Sequence, residues 1–321
     1  MISLKEAYDL GLKMGKEADP RGKNRVNNFL DRVKKEYAGM SQSEQEYFDK
    51  EKLVNPYDDC RIHTGKSEVL IKRVLVGIDV GAAEVLLATQ LSERGKKIDA
   101  VIAHHTIGGS KAALTGVMEM NIDRYGDNGM PIHIAEKIVA DRQEEVFRSL
   151  HAHNHYQVVD VARPLGVNLM NLHTATDNLV DQFLQDFLTK KNPQTIGEVL
   201  EALLEIPEYQ EAKRRGVGPV IVAGNPKSRI GRFVLEMTGG VNPAGPAYPE
   251  ISRSGISTII AMHIKEGARI KIIECNMNAV VTGHMSSDSL GMNLYLDELE
   301  KRGVEIVPCG GLIRVSRVRK K

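Results

Sequence analysis

The sequence has no tryptophan, 6 phenylalanines and 9 tyrosines. With so few aromatics and no basic residues interleaved among them, a surface that stacks on nucleic-acid bases is not expected. Neither sign of charge prevails, since 43 basic side chains stand against 42 acidic ones for a net charge of +1. A general attraction to nucleic acid or to a membrane surface is thereby excluded. Only the tail from Arg314 to Lys321 is locally basic, and it reads as a solvated terminus. Three cysteines, Cys60, Cys275 and Cys309, lie far apart without a C-x-x-C pair, which argues against disulfides or a thiolate zinc site and for a reducing cytosol. No apolar run is long enough to span a membrane, and Met1 to Glu6 lacks the core of a signal peptide, so the expected address is cytoplasmic. The spacing of a P-loop and the G-x-G-x-x-G of a dinucleotide fold are also missing. The loop from Gly224 to Gly231 has glycine and cations without either pattern.

What is present suits a globular chain of one large or two smaller domains: 321 residues, 42% hydrophobic and 26% charged. Residues 1–65 are charged and helical in pattern, with apolar stripes through Leu4, Ala7 and Leu10 and through Val26, Phe29, Leu30 and Val33. They predict a helical appendage packed on the main body, followed by an irregular polar loop from Asn55 to Gly65 that reads as a solvated connection. From Arg73 the pattern becomes α/β. The run Val74 to Ile78 predicts a strand ending at Asp79, then a helix over 82–94, then a second strand ending at His104 and His105. A β-α-β unit makes those strands parallel, which places Asp79 beside the histidine pair on one sheet edge.

The same arrangement recurs. Val167 to Leu172 runs into His173 and Asp177, Thr258 to Met262 into His263, and Ala279 to Thr282 into His284 and Asp288. Taken singly, Asp177 or Thr176 serves equally well as a helix cap. His151, His153 and His155, at the end of a helix expected over 130–156, read as a polar helix terminus. The loop from Gly239 to Pro246 marks a bend beside the working face, and Val304 to Val307 and Ile313 to Val318 read as closing strands. Imidazoles and carboxylates without thiolate suit zinc, manganese, iron or nickel alike. A bridging carboxylate is what holds two cations about 3.5–4 Å apart in two-metal hydrolytic sites.

On these residues the chain resembles the Nif-three-like family (NGG-one interacting factor three), described as GTP cyclohydrolase I type 2-like. The resemblance covers roughly residues 55 to 315, through Asp58-Asp59 with Gly65, Val76-Gly77-Ile78-Asp79, Ala103-His104-His105, His173-Thr174-x-x-Asp177 and Gly283-His284-x-x-x-Asp288. It implies two α/β lobes with a dinuclear metal site between them. The lobes would be residues 66–190, carrying His104, His105 and Asp177, and residues 191–321, carrying His284 and Asp288, after an N-terminal helical extension and entry loop over 1–65. Those five residues would hold two divalent ions, with Asp177 bridging, and His173 and His263 would act as general acid or base. In the family the last ligand is usually Glu, so Asp288 is one methylene shorter. Ala261-Met262-His263 stands where the family has Thr-Gly-Glu, and Gly224-Asn225-Pro226-Lys227 where it has a glycine-rich segment. A metal-dependent hydrolase of a small molecule or nucleotide, assembled as a homohexamer, is the implied function. A metal-binding adaptor without turnover, acting through protein partners, is the alternative.

Overall fold

Short β-branched runs that stop on glycine or polar residues dictate strands in this chain. In the computed structural model, which describes residues 2–243 and 245–318, these are β1 (Ile2–Ser3), β2 (Arg61–Thr64), β3 (Leu70–Ile71), β4 (Arg73–Gly77), β5 (Ala100–Ala103), β6 (Leu169–Asn171), β7 (Val220–Ala223), β8 (Phe233–Glu236), β9 (Thr258–Ala261), β10 (Asn278–Val281) and β11 (Glu305–Cys309). Met1, Ala244 of the expected bend, and Arg319, Lys320 and Lys321 of the expected basic tail lie outside the described residues. No helix among those described is long and apolar enough to cross a membrane.

The architecture is mixed α/β with two sheet bodies, as the pattern predicts. One sheet has the order β11-β4-β5-β6-β2, parallel except for β2, which runs antiparallel to β6. The other has the order β7-β10-β9-β8, parallel except for β7. Parallel strands are covered on both faces, and accordingly β4, β5 and β6 are almost entirely buried aliphatic runs. Their carboxyl ends share an edge, as do those of β9 and β10, and two long helices continue from these edges. Helix Thr174–Lys191 follows β6 and helix His284–Lys301 follows β10; they pack against each other and join the two bodies.

Four expectations change. The leading helix, Leu4–Glu17, is core and no appendage: capped by a Ser3–Glu6 box, it buries Leu4, Ala7, Tyr8, Gly11, Leu12 and Gly15 against helix Thr174–Lys191. The last strand β11 returns to pair with β4, so a division at residue 190 assigns to the second lobe a strand that the first sheet holds. Residues 313–318 form no strand. The Ile313 amide donates to Ser289 Oγ (3.0 Å) and its carbonyl accepts from Asn293 Nδ2 (2.8 Å), so helix side chains replace a ladder partner. The described part of the tail is held to the body and is not a free terminus, because Arg314 pairs with Asp297 and Glu300 (2.7 and 2.8 Å) and Arg317 with the fully buried Glu208 (2.7 Å).

Candidate metal centre

The residues just beyond β5, β6, β9 and β10 converge. His104 and His105 leave β5, His173 leaves β6, His263 leaves β9, and His284 opens the helix after β10. Asp177 lies in the first turn of helix Thr174–Lys191, where the positive end of a helix favours a carboxylate, and Asp288 lies one turn into helix His284–Lys301. Asp288 is central. Its Oδ1 is 3.5 Å from His104 Nε2, and its Oδ2 is 3.2 Å from His105 Nε2 and 3.4 Å from His284 Nε2. Asp177 Oδ1 lies 3.4 Å from the same His104 nitrogen. Three sets of side chains bring ligand atoms within 4.8 Å of one another: His104 with Asp177 and Asp288, His105 with His284 and Asp288, and His104 with His105 and His173. His104 and His105 sit in different sets around Asp288 and share the third set with His173.

Neighbours fix the rings. His104 Nδ1 is 3.1 Å from the Leu172 carbonyl and 3.0 Å from Thr176 Oγ1, His105 Nδ1 is 2.7 Å from Asp79 Oδ1, and His173 Nδ1 is 2.7 Å from Asp59 Oδ2. Each pairing leaves Nε2 aimed at the cluster, the orientation by which a metal-ligating histidine is usually held. The inner atoms lack such partners: His104 Nε2, Asp177 Oδ1 and both Asp288 oxygens are buried without a hydrogen bond among the described residues. Orphaned buried atoms of this kind call for an ion or an ordered water. Donor type and placement therefore fit divalent metal.

The charges point the same way. Burial opposes ionisation of Asp288, yet the imidazoles of His104, His105 and His284 outweigh it and hold the carboxyl below the usual carboxylate range. Asp177 is pushed up by burial, against the pull of His173 and His104. Burial pushes His284 down to about 4.

Among solved structures the chain is similar to a NIF3 superfamily protein from Sphaerobacter thermophilus, with a TM-score of 0.76 at 23% identity over 97% of this chain and 99% of that one. The chain has the NIF3 fold. It is also similar to reduced HcgD from Methanocaldococcus jannaschii, with a TM-score of 0.52 at 13% identity over 83% of this chain and 94% of that one. No protein-family model matches the sequence, and no curated protein matches it.

Within this NIF3 fold all seven singled-out residues come together, His263 through ring contact with His284 at 4.7 Å between centroids. Asp79 stands beside His105, as the β-α-β reading predicts. The carboxylate common to two ligand sets is Asp288, where the resemblance implies Asp177 as the bridge; it projects from one turn into the helix after β10, four residues beyond His284. His151, His153 and His155 are outside the ligand sets. So is the loop from Gly224: β7 runs antiparallel, which puts its end beside the start of β10, away from His284. The bend at Gly240 to Asn242 does line the cavity over the centre.

Two residues were given no role at the site by sequence reasoning, although Asp59 belongs to a motif that carries the resemblance. Asp59, in the loop expected to be solvated, is fully buried, and it also accepts from Thr174 Oγ1 at 2.7 Å. Its flanking Tyr57 and Cys60, both of types that prefer the interior, were the available signal. Glu236, at the end of β8, lines the same cavity with Oε1 unpartnered. Arg124, buried beside it, faces both Asp181 (3.4 Å) and Glu236 (3.8 Å).

Burial and the negative charge of Asp181 push the Glu236 carboxyl up to about 7, against the pull of Arg124. A raised folded value means that the protonated form stabilises the fold below the ordinary glutamate value of 4.5, and that this stability is lost as pH rises to about 7. Glu236→Gln is expected to flatten that loss, on the order of 3 kcal/mol, in urea titrations between pH 5 and 7.5. Identical pH profiles for variant and parent would contradict the assignment.

Proposed function

We propose that this chain is a dinuclear metal-dependent hydrolase of a small molecule. The observation that carries the reading is the unpartnered Asp288 carboxylate, with one oxygen turned to His104 and the other to His105 and His284, and with Asp177 grouped with it on the His104 side. One ion would be held by His104, Asp177 and Asp288, and the second by His105, His284 and Asp288. When bound, two divalent ions supply Lewis acidity toward water and toward an ester, phosphoryl or ring C–N bond.

The chain's own side chains supply the rest. His263 is half-buried beside His284, and burial lowers its affinity for a proton, so near pH 7 it is a neutral ring able to accept one. His173, tied to Asp59 through Nδ1, presents Nε2 toward Asp177 at 3.9 Å and holds the second movable proton. The adjoining cavity, about 270 Å³, suits a small ligand better than a polymer.

Elemental analysis is expected to give two divalent ions per chain. Metal-loaded protein should turn over a member of a nucleotide and phosphoester panel, with rates about 100-fold or more lower in His104→Ala and Asp177→Asn. Equal rates in all three would sink the proposal.

A further inference from the structure

The cavity beside the centre has a wall of one charge sign. Besides the imidazoles of His105, His173, His263 and His284, it is lined by Arg142 and Lys265 and by no aspartate or glutamate. Arg142 is fixed in place: its side chain is 16% exposed, Nε donates to the Asn242 carbonyl at 3.3 Å, and Nη1 pairs with Glu145 at 2.6 Å. Lys265 is exposed and makes no side-chain hydrogen bond or ion pair among the described residues. It also occupies the N-cap of helix Glu266–Glu274, with no side-chain cap, and Ala268 of that helix lines the cavity too.

That placement runs against helix chemistry. Caps are normally Ser, Thr, Asp or Asn, and a cation at the positive end of a helix is unfavourable. Glu145, paired with Arg142, and Glu266, in the first turn of the helix, lie outside the lining, so toward the cavity itself a lysine cap, an arginine and the helix end complement an anion.

We propose that this wall binds an anionic group, phosphate or carboxylate, of the ligand that the centre acts on, separate from the bond that is cut. It rests on the hydrolase reading only in treating that ligand as a substrate. The test is calorimetric titration of metal-loaded protein with inorganic phosphate and, separately, with malonate, comparing the parent with Lys265→Glu and with Lys271→Glu. Lys271 sits on the same helix but is not part of the wall.

At least one anion should bind the parent and bind Lys265→Glu about tenfold more weakly, with Lys271→Glu and the metal content of both variants unchanged. The anion that responds identifies the group. No binding, equal affinity in Lys265→Glu, or equal weakening in Lys271→Glu would overturn the proposal. Lys265-dependent binding without turnover of any panel compound would remove the hydrolase reading and leave this one standing. Turnover with Lys265-independent binding would do the reverse.

Discussion

Asp288→Ala is expected to reduce bound divalent metal from two ions per chain to fewer than one and to lower turnover by about 1,000-fold or more. One carboxylate takes part in both proposed ligand sets, so its removal takes a donor from each. Loss of a mere supporting hydrogen bond already weakens metal sites about 10–100-fold, and loss of a shared direct donor should exceed that at both positions. Asp288→Glu, one methylene longer and the residue that the family resemblance implies, should retain both ions. Elemental analysis after equilibration with zinc or manganese checks the series; two ions per chain in Asp288→Ala would remove the premise of a shared carboxylate. The metal-free protein gives an independent sign. Because the imidazoles hold Asp288 below its ordinary value of 3.8, its stabilising contribution is complete above that pH and fades as the pH falls further.

Strand ends were the legible part of this site. Runs such as Val101 to Ala103 and Ala279 to Val281 are too short and too β-branched for helices, so the histidines that follow had to emerge at sheet edges. The β-α-β rule then put His104, His105 and Asp79 together without any structure. What composition hides is burial. Asp59 stands in a loop as polar as any solvated turn, and only the packing of Tyr57 and Cys60 draws it beneath His173. Arg314 and Arg317 likewise read as free surface until Asp297 and Glu208, distant in sequence, meet them. The identity of the shared carboxylate was hidden for another reason. It depends on how far the helix of Asp288 slides along the helix of Asp177, and periodicity within one helix says nothing of register between two.

That register rests on Gly291. A Cβ built there would stand 2.3 Å from the Thr176 carbonyl oxygen, where ordinary contact begins at 3.4 Å, so the helices would have to part by about 1 Å. Gly291 lies one turn beyond Asp288, Thr176 immediately precedes Asp177, and the Thr176 hydroxyl lies 3.0 Å from His104 Nδ1. Separation here would therefore displace both carboxylates and one imidazole together. Alanine in a helix interior is otherwise favoured over glycine by about 1 kcal/mol, but overpacking against backbone typically costs about 1–3 kcal/mol. The neighbour here is a helix carbonyl that cannot rotate away, so the clash should win. Gly291→Ala is expected to lower stability by about 2 kcal/mol in urea titrations and to weaken binding of both metals. Gly267→Ala is the internal comparison: its Cβ would meet nothing within 4 Å in helix Glu266–Glu274, so it should match or slightly exceed the parent in stability. If Gly291→Ala kept full stability and both ions, the helix crossing would not be what sets the distance between the carboxylates.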